Sequence, residues 1–149
     1  MKTRLWNRNK DYPTLASWWE QYSWEAVASE ILPNNAYIVS NDAGQDVAAG
    51  FVYFTNNAPI AYADWFITNP KSSNKDKHYA LNLVYKKIEE ECRKKKCKVI
   101  TATITSKTLV KRMIRDHGYE VASHKVMQLM RVLDNEDMGD IDYFRDQES

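Results

Sequence analysis

Ile60-Ala-Tyr-Ala-Asp-Trp-Phe-Ile-Thr68, followed directly by Asn69-Pro-Lys-Ser-Ser-Asn-Lys-Asp-Lys-His-Tyr-Ala80, joins a strand to a helix through a polar turn. The first nine residues are apolar or aromatic apart from Asp64 and Thr68, which is the make-up of a strand. Asn69 and Pro70 cannot continue it, so residues 69–74 form a loop. A long helix is expected from about Asp76 to Lys96. Leu81, Val84, Tyr85, Ile88 and Cys92 recur at helical spacing as its buried stripe. The basic run Arg93-Lys94-Lys95-Lys96 suits the negative end of its dipole. Lys98 to Thr105 is β-branched and reads as the next strand.

Upstream of this unit the period is two. Ala36 to Ser40 and Val47 to Phe54 read as a hairpin turned by Asn41-Asp42-Ala43-Gly44, and Asn56 to Pro59 as a second turn. Lys2 to Asn7 reads as a first strand. A helix opening at Asp11-Tyr12-Pro13 carries Leu15, Trp18, Trp19 and Tyr22 on one face. Trp24 to Leu32 reads as a second short helix ending before Pro33. Downstream, Ser106 caps a helix whose Leu109, Val110, Met113 and Ile114 point inward and which stops at Gly118. Tyr119 to Ser123 and Lys125 to Leu133 read as two closing strands. This order predicts an α/β (α+β) domain over 1–133: a mixed, mostly antiparallel sheet with helices on both faces. Residues 134–149 read as an acidic C-terminal tail.

A chain of 149 residues that is 44% hydrophobic can bury one core without disulfides. Its net charge of +1 hides a partition, because residues 71–115 carry fourteen bases against four acids. No run approaches the ~20 apolar residues of a membrane helix, and Met1 to Lys10 lacks the apolar core of a signal peptide. Cys92 and Cys97 form neither CxxC nor a disulfide framework, which points to a reduced, cytoplasmic setting. The histidines His78, His117 and His124 have no ligand spacing, so no metal site is expected.

The element order, the strand Ile60–Thr68, the loop and helix start Asn69–Ala80, and the Arg-Asp-His-Gly-Tyr that ends at Tyr119 resemble the GCN5-related N-acetyltransferase (GNAT) fold. More narrowly, the tryptophan-rich first helix and the Asn-Pro-x-Ser-Ser loop are similar to small acetyltransferase-like proteins encoded by bacteriophages. The resemblance implies an acyl-CoA N-acyltransferase. Acetyl-CoA would lie where Ile60–Thr68 and Lys98–Thr105 splay apart, and an amine of a small molecule or protein would attack its thioester directly. It implies that backbone groups of Phe66, Ile67 and Thr68 hold the pantetheine and acyl end. Ser72, Ser73, Asn74, Lys75, Lys77 and His78 at the helix start, with Lys107, would hold the pyrophosphate, since free N–H groups and a helix dipole attract anions.

Two positions depart from the family pattern. Aligning the pyrophosphate loop on Lys75-Asp76-Lys77-His78-Tyr79-Ala80 puts His78 where the family has its central glycine. Counting back from Gly118 puts Ile114 where a tyrosine would protonate the leaving thiolate. These departures favour the alternative, a catalytically inactive GNAT-fold protein acting through protein contacts or in phage particle assembly.

Asp64, an acid in an apolar strand, is the candidate base, sharing a face with Tyr62, Phe66 and Thr68 by period two. It reads equally as a solvent-facing or lysine-paired acid. Trp19, Trp24 and Tyr62 are candidates for the acceptor wall, although one aromatic face of the first helix must be core. The polar residues at 72–77 also read as an ordinary helix cap. The Arg93–Lys98 run reads as a solvated helix end, and the pattern speaks against nucleic-acid binding, as no stacking platform accompanies it.

Overall fold

The computed structural model of the chain describes residues 1–133, and the acidic segment expected over 134–149 lies outside the described residues. The elements are β1 (Lys2–Leu5), α1 (Arg8–Gln21), β2 (Ala36–Ser40), β3 (Asp46–Phe54), β4 (Ile60–Thr68), α2 (Asn74–Lys94), β5 (Val99–Ala102) and α3 (Lys107–His117). The strands form one sheet in sequential order, antiparallel from β1 to β4 and parallel between β4 and β5. No helix among the described residues is long and apolar enough to cross a membrane.

Each sheet face has its own core. On one face Trp6, Leu15, Trp18, Trp19 and Leu32 from the α1 side pack on Ile38, Ala49, Phe51 and Ile67. On the other, Ala80, Val84, Ile88 and Cys92 of α2 pack on Val39, Val47, Val52, Ala61 and Ala63. The alternation along β2 and β3 sends successive residues to the two layers, so both strands are buried throughout most of their length.

α1 begins earlier than the sequence suggests. Asn7 is its cap, accepting the Lys10 N–H at 3.2 Å, while Asp11 sits inside the first turns. Asp11 is buried and ion-paired to Arg4 through two bonds of 2.8 and 3.0 Å, and it also accepts the Asn7 N–H. The side chain that reads as a cap therefore ties β1 to α1.

The second helix expected over Trp24–Leu32 does not form; only a 3₁₀ turn at Ser29–Ile31 is present. Side chains consume the carbonyls that a helix would need. Tyr12 donates to Val27 O, and the Arg8 guanidinium donates to Ser29 O and Leu32 O. The two closing strands are also absent: residues 119–133 carry no regular element and pair with no strand. β5 is shorter than expected, for a reason that lies in β4.

Candidate functional site

β4 does not run straight. Ala49 faces Ile67 but Phe51 faces Asp64, so Gly50 opposes two residues, Trp65 and Phe66. This is a β-bulge. Trp65 takes the extra position with φ +58, a conformation costly for a bulky side chain. Two contacts hold it there. The Asp64 carboxylate accepts the Trp65 N–H at 2.8 Å, and the indole N–H donates to Tyr53 Oη at 2.9 Å. Tyr53 in turn donates to Ile31 O at 2.8 Å. The irregular segment that failed to become a helix thus anchors the bulge from the α1 face.

The bulge opens the sheet. β4 pairs with β5 only from Ile60 to Ala63, and its last five residues, 64–68, have no partner on that side. Thr103 to Thr105 lose their partners for the same reason. The Asn69 N–H reaches Val47 O at 2.7 Å, so by alternation the backbone groups of Thr68 and Phe66 point away from β3 and into the fork.

The bulge also corrects the expected face relations. Tyr62 and Asp64 belong to the α1 face, but neither Phe66 nor Thr68 shares it. Phe66 lies on the α2 face with its ring edge-on to Tyr85, centroids 4.8 Å apart. It fits there because β3 has glycine below it: a Cβ at Gly50 would stand 2.7 Å from Phe66 Cδ1 and 2.6 Å from Val84 Cγ1.

A cleft of about 200 Å³ occupies the fork, lined by Tyr22, Trp24, Phe66, Ile67, Thr68, Leu81 and Leu109. Tyr22 and Trp24 stack with centroids 4.8 Å apart, and the hydroxyls of Tyr22 and Thr68 share a hydrogen bond of 2.8 Å. With those hydroxyls engaged, the walls are apolar and backbone groups are the polar features left. Of the expected residues, Phe66, Ile67, Thr68 and Trp24 line the cleft. Trp19 does not: it is 4% exposed and stacks on Phe51 in the core, a correction forced by the helix face it occupies. Asp64 and Tyr62 lie on the α1 side of the fork rather than in the lining. Burial raises the Asp64 carboxyl above its ordinary value.

The remaining expected residues gather at the start of α2. Asn69 shapes the loop by accepting the Lys71 N–H, and Ser72 N–H donates to Asn69 O. Ser73 is the helix cap, its hydroxyl oxygen accepting the Asp76 N–H at 3.1 Å. The first-turn amides of Asn74 and Lys75 are the orphan donors every helix N-terminus carries. Lys75 is exposed, while the Lys77 ammonium leans over the Tyr22 ring at 5.8 Å and so links the helix end to the cleft. His78 is exposed; it faces the end of α3, where the Arg115 guanidinium holds the Asp116 carboxyl below its ordinary value with a smaller contribution from His78. Lys107 stands exposed in the first turn of α3, whose Leu109 lines the cleft; Ser106 caps that helix.

Ile114 does not point inward, being 43% exposed, and it offers no proton to the fork. At the far end of α2 the first two residues of the basic run have acidic partners on their own helix. Arg93 pairs with Glu89, and Lys94 with Glu90 and Glu91. Tyr22, Leu81 and Leu109 also wall the cleft, although their helical spacing is that of core residues.

A sequential sheet pried open after a bulge, with a helix N-terminus beside the gap, is the architecture of the GCN5-related N-acetyltransferase fold, and this chain has it. No protein-family model and no curated protein matches the sequence. Solved structures do. The aminoglycoside N-acetyltransferase AAC(6')-Iy, determined in complex with CoA, superposes with a TM-score of 0.60 at 11% identity, over 88% of this chain and 100% of that one. Rv2747 from Mycobacterium tuberculosis, also in complex with CoA, gives 0.63 at 12% identity over 85% and 76%. A variant of TTHA1254 from Thermus thermophilus gives 0.63 at 10% identity over 90% and 98%. At these identities the likeness speaks for the fold alone.

Proposed function

We propose that the chain is an N-acetyltransferase that binds acetyl-CoA in the fork between β4 and β5 and transfers the acetyl group to an amine. The observation that carries this reading is the fork itself: backbone groups of Phe66 and Thr68 are turned into an apolar cleft that ends beside the α2 N-terminus. The pantetheine amides pair with those backbone groups. The pyrophosphate rests on the Asn74 and Lys75 amides, with Lys75, Lys77, Ser72 and Lys107 as cationic and hydroxyl partners. Ser73 contributes through the cap, and His78 borders the site from the second turn.

The acceptor amine enters from the α1 side, past Tyr62 and Trp24. Its nitrogen attacks the thioester carbonyl while Asp64, directly or through one water, takes its proton. A backbone N–H of β4 stabilises the oxyanion, the C–S bond breaks, and water protonates the departing thiolate because Ile114 supplies no acid. The acceptor class is an amine on a small molecule or a protein.

Calorimetric titration with acetyl-CoA tests the reading. Saturable binding is expected, weakened roughly 10-fold in Lys75→Ala/Lys77→Ala through the loss of two charge-assisted contacts. Absence of binding up to millimolar ligand overturns it and leaves the fold to a non-catalytic role.

A further inference from the structure

The last turn of α2 places two thiols together. Lys96 takes the left-handed conformation, with φ +60. Its N–H donates to Arg93 O at 3.0 Å, and the Cys97 N–H donates to Cys92 O at 2.9 Å. These bonds make a Schellman closure, in which the residue after the turn packs on the one five positions before it. Here those two residues are Cys97 and Cys92. Their sulfurs lie within hydrogen-bonding reach of each other, and neither is in a disulfide. Lysine is a costly residue at the left-handed position, so the turn depends on its two bonds and on the contact between the cysteines.

The two thiols differ in access. Cys92 is 2% exposed, in the core with Val84 and Ile88, and burial pushes its thiol up to about 12. On its own such a thiol is inert at neutral pH. Cys97 is half-buried and flanked by the exposed Lys96 and Lys98. A sulfur that can be reached thus stands against one that cannot, which is the arrangement of an attacking and a resolving cysteine.

We infer that Cys92 and Cys97 form a reversible disulfide by exchange with an anionic disulfide oxidant of the glutathione disulfide class. The Cys97 thiolate attacks one oxidant sulfur, forming a mixed disulfide and expelling one thiolate. The Cys92 sulfur then attacks Cys97 Sγ, and the second thiolate leaves. The two protein protons end on the two released thiols; the protein loses two electrons and the oxidant gains them. The helix turn holds Cys92 behind Cys97, so the second step is intramolecular and outruns capture of the mixed disulfide by another chain. Lys96 and Lys98 favour an anionic oxidant at the accessible sulfur. The new bond locks the turn that leads into β5. The 21 residues of α2 separate the pair from Asn74 by about 30 Å at 1.5 Å per residue, so the inference stands independently of the acetyl-CoA reading.

The full chain is incubated with excess glutathione disulfide, alkylated and weighed intact, alongside Cys92→Ala and Cys97→Ser. The wild type should lose the mass of two hydrogens, with no glutathione attached and no thiol left to alkylate. Peptide mapping should join Cys92 to Cys97, and dithiothreitol should restore both thiols. Cys92→Ala should stop at the glutathione adduct on Cys97, whereas folded Cys97→Ser should stay unmodified. The oxidised wild type should melt about 5 °C higher than the reduced form, because the bond closes a short loop in the unfolded chain. A wild type that stops at the glutathione adduct, links to a second chain, or keeps both thiols in excess oxidant overturns the inference. So does an oxidised protein that melts lower, since the bond would then break the turn rather than lock it.

Discussion

Gly50→Ala is the sharpest perturbation of the bulge. The added methyl would meet Val84 Cγ1 at 2.6 Å and the Phe66 ring at 2.7 and 2.8 Å, all below any normal carbon contact. Val84 is fully buried on a helix, where its β-branched side chain has one favoured rotamer, so it cannot turn aside. Phe66 is half-buried and borders the cleft, so its ring must move, and the open space is the cleft itself. Overpacking of this kind costs about 1–3 kcal/mol. Removing a glycine from the unfolded chain returns up to ~1 kcal/mol. The net loss is about 1–2 kcal/mol, or a fall in Tm of roughly 3–6 °C for a chain of this size. Acetyl-CoA affinity should fall with it, read by calorimetry, while Gly44→Ala serves as the control. Gly44 has φ +81 and open space around it, so alanine there costs ~1 kcal/mol of backbone strain and leaves affinity unchanged. A Gly50→Ala protein as stable as the wild type, with unaltered affinity, would refute the packing of Phe66 over Gly50 and with it the bulge register.

Asp64 has two separable duties, pinning Trp65 and taking a proton. Asp64→Asn keeps an acceptor for the Trp65 N–H, so turnover should collapse while acetyl-CoA affinity holds; Asp64→Ala should lower Tm as well. Because burial raises the folded carboxyl, its contribution to stability is present below the unfolded carboxylate range and lost as pH rises through the raised value. The acetylation rate should therefore climb with pH through a value above the ordinary carboxylate range, a limb measured in a pH–rate profile. Asp11 runs the other way: Arg4 holds its carboxyl low, so its contribution is present above the unfolded range and lost as pH falls through the lowered value. Asp11→Asn should cost about 1–2 kcal/mol at neutral pH, discounted for the partly exposed Arg4, and flatten the acid limb of a Tm-versus-pH series. Trp24→Ala should leave Tm nearly unchanged, since the ring is 54% exposed, yet raise the KM for the acceptor; Trp19→Ala should cost about 3–5 kcal/mol and unfold much of the protein.

The strands and long helices were legible because their apolar periods are regular. Ala36–Ser40, Ile60–Thr68 and the α2 stripe fall where alternation and helical spacing put them. What the period could not carry was a break in itself. The bulge at Trp65 shifts Phe66 to the other face, and nothing in Asp-Trp-Phe announces it; the visible trace is Gly50 in the neighbouring strand. The segment 24–32 has helical composition, but Arg8 and Tyr12, far away in sequence, take its carbonyls. The tryptophans of α1 illustrate the same limit. Trp19 and Trp24 look alike as letters, and only the end of α1 at Gln21 decides that one is core and the other wall. The cap at the start of α2 was readable within residues 72–77, because cap chemistry is local.

The central claim, that the fork and the α2 N-terminus together bind acetyl-CoA, is tested most directly by backbone amide NMR during titration with the cofactor. The amides of Phe66 and Thr68 in the fork and of Asn74 and Lys75 at the helix start should shift together along one saturable curve. Shifts confined to the basic run Arg93–Lys98, or no shifts at all, would contradict it.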